Sequence, residues 1–150
     1  MTGKTKSSYL LEGLKEYAGR LKHYVQLKEI VIPDLKNTKS MPEEEQKMKE
    51  GELILKQIPK GSYVILLDER GKAYSSKSLA AFFQKRMNEG RDICMVLGGA
   101  YGFSDAVYQQ VDQLISLSRL TFSHQMVRLI LLEQIYRAFT IINGEPYHHD

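Results

Sequence analysis

Cysteine is almost missing from this sequence. Of 150 residues only Cys94 carries a thiol, so the chain has no internal disulfide. Its setting, Ile93-Cys-Met-Val-Leu97, is a buried-strand pattern that gives it a packing role rather than a catalytic one. Long apolar runs are also lacking, and none reaches the length that spans a bilayer. No secretory signal pattern opens the chain, which favours the cytoplasm. Metal-ligand spacing is absent too. Three of the four histidines are His124, His148 and His149, with no paired spacing of the metalloprotease kind, so no metal is expected. There is no Gly-x-Ser-x-Gly elbow for a Ser/His/Asp hydrolase. Neither the dinucleotide fingerprint nor a phosphate-binding P-loop occurs. Internal repeats and low-complexity linkers are missing as well.

What remains is an ordinary composition, 43% hydrophobic and 26% charged, on a length that fits one domain over residues 1–150. The formal net charge is +3. Residues 1–40 carry eight Lys and Arg against four Asp and Glu, so the whole excess lies there. Such a face suits RNA, or is simply solvated.

Local signals alternate between helix and strand. A helix is expected from Ser7 or Ser8 to about Tyr24, with Leu10, Leu14, Tyr17 and Leu21 on one stripe. Residues 27–32 alternate loosely and read as a strand ended by Pro33. Pro42 and the three glutamates after it open a helix to about Ile58. Residues 63–67 form a continuous apolar strand that ends in Asp68-Glu-Arg-Gly71. A helix over 76–88 follows, then a second buried strand over 93–97 that empties into Gly98-Gly-Ala-Tyr-Gly102. Ser104 can cap a helix over 105–113. Residues 115–120 look extended, and Thr121-Phe122-Ser123 is a polar bend that can cap a last helix over 124–139. This alternation, with central strands apolar throughout, predicts a doubly wound, mostly parallel α/β sheet.

The last helix organises the rest. Residues 126–132 are apolar at every position but Arg128. A helix with one open face shows an apolar stripe, not a full coat. This one is expected to be buried on two sides, against its own sheet and against a second subunit. Ligands of such sheets bind beyond the carboxyl ends of the strands. Three strand ends stand out: Leu67-Asp68, Leu97-Gly98-Gly99, and residues 117–122. Taken alone, the glycines are equally a tight turn or a ligand loop.

Several stretches together resemble one family. They are Leu97-Gly-Gly-Ala-Tyr-Gly102, Leu117-Ser-Arg-Leu-Thr-Phe-Ser-His-Gln-Met-Val-Arg128, Leu132-Glu-Gln-Ile-Tyr-Arg137 and Pro146-Tyr-His148. Gly51-Glu52 and Leu67-Asp68 fit as well. The family is RlmH, the ribosomal large-subunit methyltransferases H of the SPOUT superfamily, and the likeness covers essentially the whole chain. It implies a homodimer whose carboxyl-terminal segment threads a trefoil knot. It also implies a first strand before Gly3-Lys-Thr-Lys6; only Met1 and Thr2 precede that turn, so this strand is expected to be missing.

The activity implied is methyl transfer from S-adenosylmethionine to N3 of a pseudouridine in helix 69, a stem-loop of 23S rRNA, on the assembled ribosome. No metal and no membrane enter it. The donor residues implied are Leu67, Gly98, Leu117, Ser118, Arg119, Leu120, Thr121 and Phe122. Extended strand ends would give adenine an apolar slot and backbone partners, and Gly98 would leave room for the ligand. Without the likeness, Leu67, Leu117 and Leu120 read as plain core. The attacked nitrogen carries a proton, so a base or an anion-stabilising charge is useful. The candidates are His124, Arg128, Tyr147 and His148. Arg128 would stabilise an anion or hold a phosphate; His124 would take the proton or cap its helix. Glu133 and Arg137 read as a simple i, i+4 pair. Three other readings stand beside this one: a SPOUT enzyme acting on tRNA ribose, an inactive ribosome-binding dimer, and an unrelated nucleotide-binding α/β protein.

Overall fold

The computed structural model describes residues 7–35, 38–99 and 101–148. Five helices and three strands run in the order α1 (Ser8–Leu21), α2 (Glu43–Gln57), β1 (Tyr63–Ala73), α3 (Ser76–Asn88), β2 (Ile93–Leu97), α4 (Asp105–Tyr108), β3 (Gln113–Ser116) and α5 (His124–Ile142), with a 3-10 turn at Thr38–Ser40. The strands form one parallel sheet in the order β2-β1-β3.

Successive side chains of a strand point to opposite faces. On β1, Val64 and Leu66 meet Ile54 of α2, Val96, Phe103 and Val107. Tyr63 and Ile65 point the other way and meet Leu79, Ala80 and Phe83 of α3, Ile115, and Ala138 of α5. Both faces are covered, which is why β1 reads as an unbroken apolar run. Leu66 and Ile65 are fully buried, so truncating either to alanine costs about 2–5 kcal/mol. α1 lies against α5, outside the sheet layer.

Most expected elements form, with some differences. Residues 27–32 are not a strand; Val31 makes one isolated bridge. Ile30 and Ile32 satisfy their apolar character by packing on the core instead of in a ladder. The helix expected over 105–113 stops at Tyr108, because Asp112 and Gln113 are needed at the sheet. The Asp112 N–H donates to Val64 O at 3.0 Å, and its carboxylate accepts the Val64 N–H at 2.8 Å. The extended piece is accordingly β3 over Gln113–Ser116, ahead of the 115–120 expected. Ser104 makes no side-chain cap bond.

The end of β1 differs most. Leu67 and Lys72 share Ile115 as register partner, so the residues between them bulge out of the ladder and the strand resumes at Lys72. Gly71 permits this: a Cβ there would lie 2.5 Å from the Ile115 backbone nitrogen. The Gly3-Lys-Thr-Lys6 turn lies outside the described residues.

α5 is capped as expected, with Ser123 Oγ accepting the Met126 N–H at 3.2 Å. It packs against α1 and α3. Of residues 126–132, only Arg128 and Leu131 are buried within the chain; Met126, Val127, Leu129, Ile130 and Leu132 stay half-buried. No helix among the described residues is long and apolar enough to cross a membrane.

Candidate functional site

The part of β1 before its bulge stops beside the end of β2, since Leu67 and Leu97 are register partners. Two shallow clefts open there. The first is lined by Leu67, Asp68 and Glu69 from the bulge, Leu117, Leu120 and Phe122 from the loop after β3, and Val127 of α5. Four of the eight residues expected to hold a ligand therefore face one space. Leu120 is 75% exposed and Phe122 38%, so the cleft presents apolar surface to water. Ser118 shapes the loop. Its hydroxyl accepts the Leu120 N–H at 2.9 Å, and its carbonyl accepts the Ser116 hydroxyl at 3.0 Å. Arg119 and Thr121 are exposed and stand outside the lining.

Gly98 lies in the second cleft, with Gly99, Leu97, Asp34 and Glu50. The space where a Gly98 Cβ would sit is taken by the chain's own Phe103 ring, 2.9 Å away. The missing side chain thus serves ring packing, while the Gly98 backbone stays at the cleft. Ala100 of the same turn lies outside the described residues.

The four candidate catalytic residues are not brought together. His124 is exposed at the first turn of α5, one turn before Val127 of the first cleft. Arg128 is buried and ion-paired with Glu29. The pair latches the irregular stretch after α1 onto α5. Tyr147 and His148 lie at the other end. Tyr147 Oη is 3.2 Å from both Tyr17 Oη and Glu133 Oε1. His148 Nδ1 is 3.5 Å from Arg137 Nη1. Arg128 and Arg137 are nine helical residues apart, roughly 14 Å at 1.5 Å per residue.

Arg137 is the residue that sequence reading passed over. It pairs with Glu133, and its guanidinium lies 4.9 Å from the Tyr147 ring centroid. The pairing with Glu133 was legible in the i, i+4 spacing, but the join to the tail was not. Around it stands a tyrosine cluster: Tyr136 meets Tyr147 at 4.7 Å, Tyr24 at 5.8 Å and Tyr17 at 5.9 Å between centroids. The Tyr24 phenol donates to Glu145 at 2.6 Å, and that bond, with burial, pushes its pKa up to about 12. Burial, then the bonds to Tyr17 and Glu133, raises Tyr147 well above the ordinary phenol value. Tyr147 therefore keeps its proton near neutrality and can donate or position, but not act as a base.

The first cleft has its own charged element. The Asp68 side chain, 9% exposed, accepts from Arg70 and from the Tyr108 hydroxyl. Burial pushes the Asp68 carboxyl up, but these bonds outweigh it and hold the group below the ordinary carboxylate value. Among the described residues, no group of three His, Cys, Asp or Glu is placed to hold a metal ion.

Comparison with known proteins finds one family over nearly the whole chain. A family model described as "Predicted SPOUT methyltransferase" matches residues 1–148. The Ribosomal RNA large subunit methyltransferase H of Parabacteroides distasonis is 52% identical over 149 residues, covering 99% of this chain and 95% of that protein. The protein of the same name from Christiangramia forsetii is 53% identical over 148 residues, covering 98% and 94%. That of Bacteroides thetaiotaomicron is 47% identical over 151 residues, covering 100% and 96%.

Proposed function

The chain belongs to the SPOUT methyltransferases, alongside the ribosomal RNA large subunit methyltransferases H, and on that premise we propose that it methylates N3 of a pseudouridine in helix 69 of 23S rRNA on the assembled ribosome, with S-adenosylmethionine as donor. The observation that carries the reading is the first cleft. Leu67, Leu117, Leu120 and Phe122 converge at the carboxyl ends of β1 and β3 and leave apolar side chains in water. An adenine ring would cover that surface, and the strand-end backbone would supply its donors and acceptors. These residues fit the donor; Ser118 holds the loop in shape, and Gly98 offers backbone from the neighbouring strand end. When bound, the donor supplies an electrophilic methyl carbon on a sulfonium.

The rest is work for side chains. The ring nitrogen must lose a proton as the new N–C bond forms, and alignment supplies much of the rate. His124, one turn of α5 before Val127 of the cleft, would take that proton. Arg128, at the same end of α5, would stabilise the negative charge that develops on the base as its proton leaves. Arg137 lies ten residues along α5 from Val127, roughly 15 Å, and Tyr147 and His148 pack beside it, away from the cleft of their own chain. In a homodimer they would complete the cleft of a second copy. The half-buried apolar residues of α5 are the surface such a copy would cover. The trefoil knot, the dimer and a cytoplasmic setting belong to this proposal.

The test is mass spectrometry of rRNA from ribosomes lacking the modification, after incubation with the protein and labelled donor. One labelled methyl on a helix 69 pseudouridine is expected. Label in tRNA instead, or in no RNA, would contradict the reading.

A further inference from the structure

The two clefts have walls of different origin. One is the bulge of β1; the other is the glycine turn after β2. The β1–β2 ladder ties them only as far as the Leu67–Leu97 pair, and the residues between Leu67 and Lys72 bulge beyond it. Past that pair, side chains tie them. Asp68 Oδ1 accepts the Arg70 backbone N–H at 2.8 Å and its Nε at 3.1 Å. Asp68 Oδ2 accepts the Tyr108 hydroxyl, which itself accepts from Arg70 Nη2. The Arg70 guanidinium lies 4.9 Å from the Tyr108 ring centroid. Tyr108 then meets Phe103 edge-on, with centroids 5.8 Å apart and planes at 81°. Phe103 in turn fills the space beside Gly98. Contact therefore runs unbroken from Asp68 through Tyr108 and Phe103 to Gly98.

The geometry points to Tyr108 as a positioning residue for the methyl donor: it fixes the bulge wall at Asp68 and Glu69 relative to the turn at Gly98, and so sets the crevice that the donor spans. This rests on the donor reading above. Three features support a positioning role. An exposed arginine pairing with an aspartate is ordinarily worth little, but here the phenol closes the pair into a three-membered network around a nearly buried carboxylate. The network sits on a bulge, and bulges are used to re-aim side chains beside active sites. The phenol does not line either cleft, so it acts through its neighbours rather than on the ligand.

Calorimetric titration of the full-length chain with S-adenosylmethionine, paired with turnover on ribosomes at saturating donor, tests it. Tyr108→Phe keeps the ring and removes the hydroxyl. It is expected to raise the donor Kd about tenfold while turnover at saturation stays within twofold. Arg70→Gln reads the same network from a residue that lines neither cleft, should the first variant not fold, and is expected to raise Kd similarly. The double variant should bind no more weakly than the weaker single one, since both cut one path. A lower melting temperature with an unchanged Kd, or additive effects in the double variant, would overturn the inference. Wild-type chain that binds no donor would overturn the donor reading and this inference together, whereas wild-type binding matched by the Tyr108→Phe variant would overturn this inference alone.

Discussion

The two ends of α5 are built from the same helix and treat their side chains in opposite ways. At the tail end, Glu133, Tyr136, Arg137, Tyr147 and His148 all meet partners within the chain, and Tyr17 and Tyr24 of the first helical region close over them. At the cleft end, Leu120 and Phe122 stand in water and Met126, Val127 and Ile130 are half-buried. Burying one leucine fully is worth about 1.5–3 kcal/mol, so the cleft end forgoes stabilisation that the tail end has collected. Exposed apolar surface around a strand-end crevice is what a ligand or a second copy would cover. A satisfied tail, by contrast, has no unmet demand in its own chain. The cleft end should therefore fail in binding when altered, and the tail end in stability or in service to another chain.

Deleting residues 146–150 probes the tail end most severely. Methylation is expected to fall more than a hundredfold in a rate assay on ribosomes, while light scattering still gives as many chains per particle as for the wild type. Retained activity would remove the tail from the reaction.

Next in size is Leu120→Asp at the cleft end. Its side chain is mostly exposed, so the melting temperature should hold within a degree or two, as surface changes usually do. Calorimetry should nonetheless show donor affinity down by ten- to thirtyfold. An equal affinity would mean that the loop is ordinary surface.

Arg128→Ala against Glu29→Gln asks whether Arg128 reacts or only latches. The alanine variant is expected to lose about tenfold in turnover, with less change in donor affinity. Glu29→Gln breaks the same ion pair yet keeps the guanidinium, and turnover should stay within threefold. Equal losses in the two variants would reduce Arg128 to its structural partner.

The smallest effect belongs to Tyr24→Phe, which removes one hydrogen bond to Glu145 and should cost about 1 kcal/mol. The Tyr24 pKa is raised in the folded chain, to about 12. The bond's contribution is thus complete below the ordinary phenol pKa near 10 and fades as pH rises through about 12. Denaturation midpoints of wild type and variant should differ at pH 7 to 9 and converge between pH 10 and 12. A difference that persists there would show that the ring, not the bond, carries the effect.

How much of this could be read from residues alone follows the range of the interaction. α3 runs from Ser76 to Asn88 as expected, because its cap is local: Ser75 Oγ accepts the Ser78 N–H. β2 and the start of β1 were legible because burial on both faces leaves an apolar run. The cleft loop was legible through family likeness; Leu117 and Leu120 by themselves look like core. Residues 27–32 misled because an alternating pattern is satisfied equally by a ladder or by packing Ile30 and Ile32 on a neighbour. The bulge after Leu67 depends on Gly71 meeting Ile115, forty-four residues on, and no local rule encodes that. The tail cluster joins Tyr17 to Tyr147 across 130 residues, so Arg137 looked like half of a helix pair and nothing more.

The most direct measurement of the central claim is a crystal structure of the chain soaked with S-adenosylmethionine. The adenine ring should lie against Leu117, Leu120 and Phe122, with the ribose towards the glycine turn at Gly98. Density in the tyrosine cluster at the far end of α5, or a cleft left empty at donor concentrations that support methylation, would contradict it.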